Sequence, residues 1–220
     1  MEGWGIPQVA EKPSNKKIMN AREDMLGRVN KALAVLPERA PLPDWDAELA
    51  VAQKLVANHD ILEVFVERIK LVNGMMMTSV AEVAAFLKNG GWTKGYCDPV
   101  LLATLETQLG SGFSLTSEFD RTRIDDYGFG ITRAAGGIAE TGTIILNDTL
   151  TSRRLGALTP WVHIAVLPKE QIHRTMTDAV KALSADPNVI WVTGPSKTAD
   201  IEGILIEGVH GPGVQIALVV

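Results

Sequence analysis

The sequence predicts an α/β protein in which a sheet covered on both faces follows a helical amino-terminal extension. Three observations carry this. From Met75 onward, short apolar runs alternate with stretches of helical periodicity, the habit of βα units whose strands are buried on both sides. Two of those runs, WVHIAVLP (161–168) and VQIALVV (214–220), are apolar almost throughout, as strands inside a covered sheet are. Before Met75 the texture is helical and is broken once, by PERAPLPDW (37–45) with its three prolines. This division places a helical extension at 1–73 and the α/β domain at 74–220, read as one continuous structural unit.

The elements follow in order. Ile18, Met25, Val29, Ala32, Leu33 and Leu36 recur at helical spacing and predict an amphipathic helix over 18–36. A second helical tract runs from about Asp46 to Val72, with a bend near Asn58–Asp60 and Gly74 as its C-terminal cap. Next come a strand at 75–78, a helix from Val80 to Lys88, a short strand around Tyr96 and a helix over Leu101–Leu109. GIAETGTIILND (137–148) carries a strand rich in Ile and Thr, and 161–168 is a second strand. KEQIHRTMTDAVKAL (169–183) reads as a helix, NVIWVTGPS (188–196) as a strand running into a turn, and 214–220 as a buried final strand.

With 220 residues, 46% of them hydrophobic, the chain can bury one sizeable core. Its 21 basic and 26 acidic residues leave a net charge of −5, and neither sign gathers into a run that would track a phosphate backbone. Nucleic acid is therefore not an expected partner. The leader MEGWGIPQVAEKPSNKK lacks the apolar core of a secretory signal, and no uninterrupted apolar stretch is long enough for a membrane span. The expectation is a cytoplasmic protein. A single cysteine, Cys97, cannot hold an iron–sulfur cluster or a thiolate zinc site alone, so a redox metal would belong to a partner.

Three segments could carry chemistry. In VTGPSKTADIE (192–202) an apolar strand runs into Gly194-Pro195-Ser196, and a helix start is expected at Lys197–Asp200. A strand end and a helix amino terminus together would favour an anion, with Ser196 and Thr198 giving hydroxyls and Lys197 a charge. The other reading is that Ser196 or Thr198 only caps that helix. The Gly-Lys-Ser/Thr order of a P-loop is missing. In GVHGPG (208–213), glycines including Gly211 surround His210, so the backbone can approach a ligand and the imidazole can serve as acid, base or donor. A tight turn with an incidental histidine is the alternative. In GFGITRAAGGIAETGTIIL (128–146), four glycines lead to Glu140, with Thr141-Gly142-Thr143 after it and Arg133 before it. The carboxylate could act as base or nucleophile and the guanidinium could grip a carboxylate. No helix opens after these glycines, which argues against a dinucleotide fingerprint. Arg153-Arg154 either extends an anion site or forms a solvated turn. His59, His163 and His173 read as structural, Met75-Met76-Met77 as core filling and Cys97 as a small buried residue.

IAETGTIIL, LTPWVHIAVLP, TGPSKTADIE and GVHGP, in this order and at these separations, resemble the LUD-domain family and within it the LutC lactate-utilisation type. The resemblance is strong over about 125–220 and looser over the helical first half. It implies a three-layer α/β/α fold similar to the NagB/RpiA/CoA-transferase group. It also implies participation in oxidising L-lactate to pyruvate beside iron–sulfur partner proteins, with no cofactor in this chain and clusters only in the partners. The site it points to has Glu140 and His210 as catalytic residues. Arg133, Thr141, Gly142, Thr143, Gly194, Ser196, Lys197, Thr198, Asp200 and Gly211 would bind a small carboxylate or phosphorylated ligand. Arg133-Ala134-Ala135-Gly136-Gly137 departs from the Gly-Ala-Asp-like loop of the family and puts that loop's contacts in question. Three roles stay open. The chain could be an auxiliary subunit of a lactate-oxidising system, a self-sufficient isomerase or acyl/CoA-transferase-like enzyme using Glu140, or a scaffold whose amino-terminal helices dock the partners.

Overall fold

The computed structural model describes residues 20–35, 59–151, 153–183, 188–199 and 202–220. The chain divides into two compact units, Met1–Trp45 and Asp46–Val220. In the first unit the amphipathic segment forms α1, Ala21–Leu33, with the Asn20 side chain accepting the Arg22 N–H as its cap. An Asp24–Arg28 pair one turn apart adds a small surface contribution. The proline-rich break and the start of the second helical tract lie outside the described residues, as do Asp200 and Ile201.

In the second unit α2 spans Ile61–Leu71, and Asp60 caps it by accepting the N–H groups of Leu62 and Glu63. The expected bend at 58–60 is thus where this helix begins. At its other end Asn73, not Gly74, takes the left-handed conformation (φ 65°). Gly74 N–H donates to the Ile69 carbonyl and Asn73 N–H to that of Lys70, which closes a Schellman cap. Phe65 and Ile69 are fully buried, so this helix belongs to the core of the α/β unit.

The central sheet has six strands, all parallel: β1 (Met75–Met77), β2 (Lys94–Cys97), β3 (Ser114–Thr116), β4 (Phe129–Arg133), β7 (Val162–Leu167) and β12 (Val214–Val219), in the order β1-β12-β7-β4-β2-β3. Alternation along the strands sorts two cores. Phe129, Ile131, Val162, Ile164, Ile216 and Leu218 face α3 (Val80–Asn89) and α4 (Pro99–Leu109). Ala165, Leu167, Ala217 and Val219 face the other way, toward α2 and a second sheet. Cys97 sits in the first core with no exposed surface; burial, and then the Asp98 and Glu106 charges, push its thiol up to about 12.

The second sheet was not separable in the sequence. It has the order β8-β5-β6-β9, from Ile172–His173, Gly136–Ile138, Thr143–Asn147 and Val189–Val192, with two antiparallel pairs and one parallel pair. The strand expected within 137–148 is β6, and it forms a hairpin with β5. The helix expected over 169–183 is cut back to α6, Met176–Ala182, because Ile172 and His173 pair with β5 instead. α6 covers the outer face of this sheet around Ile138, Ile145 and Ala179. A short helix not foreseen, α5 (Arg154–Leu158), lies on β4. The largest departure is at Lys197–Asp200. Lys197–Ala199 is strand β10, paired antiparallel with β11 (Leu205–Glu207) in a two-stranded ribbon, so the described residues there start no helix.

The turn of the β5–β6 hairpin is set by Gly142, whose φ of 65° an L side chain resists and whose Cβ would overlap the α2 backbone at Arg68 and Ile69. Gly142→Ala is accordingly expected to lower stability by about 2 kcal/mol or more. Urea unfolding followed by circular dichroism measures this; a loss below about 0.5 kcal/mol would mean that α2 does not dock on this turn as described.

Candidate functional site

Two of the three segments come together. The Ser196 N–H donates to the Pro212 carbonyl (2.9 Å) and the Gly208 N–H to the Ser196 carbonyl (2.9 Å), stitching the 193–196 turn to the 208–212 loop. Gly211 lies against Ser196 so closely that a Cβ there would stand 3.2 Å from the hydroxyl oxygen. Glycine permits that approach. Between the two loops opens a cavity of about 390 Å³, lined by Ser196, His210, Gly211, Trp191, Thr193 and Gln215 among others. Among the described residues neither the Ser196 hydroxyl nor the His210 imidazole has a hydrogen-bond partner, and His210 is exposed. Both are open to a ligand. His210 also borders a neighbouring cavity of about 430 Å³, walled by Trp161, whose ring lies across Gly208 and Gly213.

The location differs from expectation. β9, which feeds the 193–196 turn, belongs to the second sheet, and the 208–212 loop enters β12 at the amino end of the parallel sheet. Lys197 and Thr198 leave the cavity with the ribbon. The Lys197 ammonium donates to the Val72 carbonyl at the end of α2 (3.3 Å) and pairs with Glu207 (3.6 Å), which also accepts from Asn73 (2.8 Å). A cation against a helix carboxyl end is a stabilising placement, so Lys197 anchors the ribbon. Gly194, with φ 78°, passes beneath the same Val72 carbonyl, where a side chain would collide. Asp200 lies outside the described residues.

The third segment approaches through hydroxyls alone. Thr141 Oγ1 meets Thr143 Oγ1 at 2.7 Å, and Thr143 Oγ1 meets Thr193 Oγ1 at 2.8 Å, linking the hairpin to a residue of the cavity wall. Glu140 is engaged elsewhere, its carboxylate accepting the Met176 N–H at 2.6 Å, at the first residue of α6. There it complements the helix dipole beside the Thr175–Asp178 capping box. Arg133, at the carboxyl end of β4, donates to Asp98 (3.1 Å), a fully buried carboxylate that also caps α4 through the Val100 N–H.

One group of polar residues was not foreseen as part of a site. Thr132, His163 and Gln215 lie on β4, β7 and β12, all buried, with Thr132 Oγ1 and His163 Nε2 at 2.9 Å and His163 Nδ1 and Gln215 Oε1 at 2.9 Å. With the Gln215 carbonyl oxygen facing His163, the ring carries its proton on Nδ1 and Thr132 donates to Nε2. Gln215 thereby connects the inside of the sheet to the cavity. Burial pulls the His163 pKa down to about 4, so the ring is neutral near neutral pH.

The family model described as the LUD domain matches residues 51–220. The chain belongs to the LUD-domain family. It is similar to lactate utilization protein C of Bacillus licheniformis, 40% identical over 106 residues, covering 44% of each chain. To the protein of that name from Deinococcus radiodurans it is 41% identical over 87 residues, covering 37% of this chain and 41% of the other. The matched stretches thus span less than half the length of these relatives. A crystal structure of a DUF162 family protein from Deinococcus radiodurans superposes with a TM-score of 0.54 at 27% identity, covering 73% of this chain and 96% of that one.

Within this LUD domain a faint signal for the buried row existed: polar His163 and Gln215 each interrupt an otherwise apolar strand, and Thr132 follows the apolar start of another. Trp191, just before the singled-out segment, carried none. The row also has a thermodynamic signature. Unfolded, His163 regains its ordinary value of 6.5, so between pH 4 and 6.5 the unfolded state binds the extra proton and stability rises with pH. The slope from this residue is up to about 1.4 kcal/mol per pH unit, or on the order of 3 kcal/mol across the window. Urea unfolding at steps through that range should show this rise, and His163→Gln should flatten it. An unchanged slope in the variant would show that His163 is not the neutral buried group described.

Proposed function

We propose that this LUD-domain protein is a LutC-type subunit of a lactate-utilisation system, supporting oxidation of L-lactate to pyruvate, and that it holds a small carboxylate between the 193–196 and 208–212 loops. The observation that carries the reading is the pairing of Ser196 with Pro212 and Gly208. It sets an uncommitted hydroxyl and an uncommitted imidazole over one cavity of small-molecule size. The similarity to proteins named lactate utilization protein C supports the pathway.

In this reading Ser196 donates to the carboxylate, and His210 either donates to it or exchanges a proton with the neighbouring hydroxyl. Gln215, steadied by His163, fixes the polar wall behind them. Trp191 closes an apolar side. Electron transfer is assigned to iron–sulfur partner proteins, because the one cysteine of this chain is buried and held as a thiol. Glu140 is assigned to the α6 amino terminus and not to chemistry, since its carboxylate is already engaged by a backbone N–H.

The test has two arms. Thermal shift and calorimetry with L-lactate and pyruvate are expected to show binding, because a ligand of the native state raises the apparent melting temperature. Ser196→Ala and His210→Ala should each weaken it about tenfold or more, the size of a lost hydrogen bond to a charged group, with little change in the melting temperature of the free protein. In the second arm, the isolated chain is expected to oxidise no lactate and to co-purify with iron–sulfur partners. Turnover by the isolated chain, abolished by Glu140→Gln, would instead establish a self-sufficient enzyme built on Glu140.

A further inference from the structure

The parallel sheet offers a second location, away from the Ser196–His210 cavity. β2 and β4 are neighbours, yet the connection from β2 leads through α4 to β3 on one side and that from β4 leads to β7 on the other. The order of the strands therefore reverses between β2 and β4, and in open α/β sheets such a switch point leaves a crevice outside the carboxyl ends. The Asp98–Arg133 pair stands there, one residue from each connection. Thr151 Oγ1 donates to the Arg133 carbonyl (3.0 Å) and so brings the chain entering α5 to this end of the sheet.

Phe119, whose ring meets that of Tyr96 on β2, lines a cleft of about 350 Å³ together with Arg121, Arg153, Arg154 and Leu155. Three arginines line it. Arg154 is neutralised by Asp148 (2.9 Å), but among the described residues Arg121 and Arg153 have no carboxylate within ion-pair reach. Asp120, next in sequence to Arg121, is tied back to the Thr122 N–H and hydroxyl (2.8 and 2.7 Å), which hold its carboxyl below the usual range. Two unmatched positive charges in one concavity repel each other and favour a ligand that carries two negative ones. Guanidinium forks suit the oxygens of a phosphate group in particular. Phe119, held in a stack with Tyr127, and Leu155 supply an apolar wall.

We propose that the cleft at Arg121, Arg153 and Arg154 binds the phosphate group of a small organic phosphate, with the organic part against Phe119. The site is separate from the carboxylate cavity, which takes in only the far end of α5, at Ala157 and Leu158.

The experiment is titration calorimetry at low salt with phenyl phosphate, inorganic phosphate and acetate as probes. Phenyl phosphate is expected to bind most tightly, inorganic phosphate more weakly for want of the apolar contact, and acetate least. In the double variant Arg121→Gln/Arg153→Gln the affinity for phenyl phosphate should fall about a hundredfold, roughly tenfold for each lost charged contact. Arg153→Lys, which keeps the charge but loses the planar fork, should fall between. His210→Ala, which removes a cavity residue, should leave phosphate binding unchanged. Melting temperatures of all variants check that the fold is kept. The proposal is overturned if phenyl phosphate does not bind, if the double variant binds it as the parent does, or if acetate binds equally well. It also fails if His210→Ala weakens phosphate binding as much as the arginine changes, which would assign the phosphate to the other cavity.

Discussion

Two glycines that face each other set the distance on which both candidate sites depend. A Cβ at Gly130 of β4 would overlap the Gly156 carbonyl oxygen, and one at Gly156 of α5 would overlap the Tyr96 ring. With neither present, α5 lies flush on the parallel sheet. Interiors are packed too densely to absorb a side chain at such a contact without moving the element. One end of α5 then delivers Leu158 to the carboxylate cavity, and the other delivers Arg153 and Arg154 to the arginine cleft. A helix of one and a half turns has little packing energy of its own, so its position rests on these contacts.

The same face of the sheet carries its one continuous polar row. An unpaired histidine in the position of His163 would be costly, and it is tolerated because Thr132 and Gln215 satisfy both ring nitrogens from the two flanking strands. The row therefore links three strands through side chains as well as backbone. It also reaches the cavity with a Gln215 whose orientation is fixed from inside the protein, which is the kind of support a binding group needs to act with defined geometry.

Much of the parallel sheet was legible because its central strands are apolar for most of their length, and 161–168 and 214–220 became β7 and β12 nearly residue for residue. That Gly194-Pro195-Ser196 and Gly208–Gly213 are turns was legible as well, from glycine and proline punctuation. What failed was decided by pairing at long range. Lys197–Asp200 has the composition of a helix start, yet Lys197 and Ala199 meet Glu207 and Leu205 in a ribbon that no local pattern announces. Ile172 and His173 fit a helical period, but the missing side chains of Gly136 and Gly137 leave them room to join β5 as a strand. The partner of Glu140 was out of reach of any local pattern, because the N–H that its carboxylate accepts lies 36 residues further on. Both readings of Arg153-Arg154 stayed open in the sequence because Arg121, which lines the same cleft, is on another connection and distant in the chain.

Cys97 has a practical side. A thiol held near 12 is thiolate to only about one part in ten thousand at mildly alkaline pH, and here it is walled off from solvent as well. The native protein therefore presents a background silent to maleimide and iodoacetamide chemistry. Cysteines placed at exposed positions such as Val209 or Ile204 would take a fluorophore or spin label alone, without first removing the natural one. Motions of the ribbon and of the 208–212 loop can thus be followed spectroscopically on an otherwise unaltered chain.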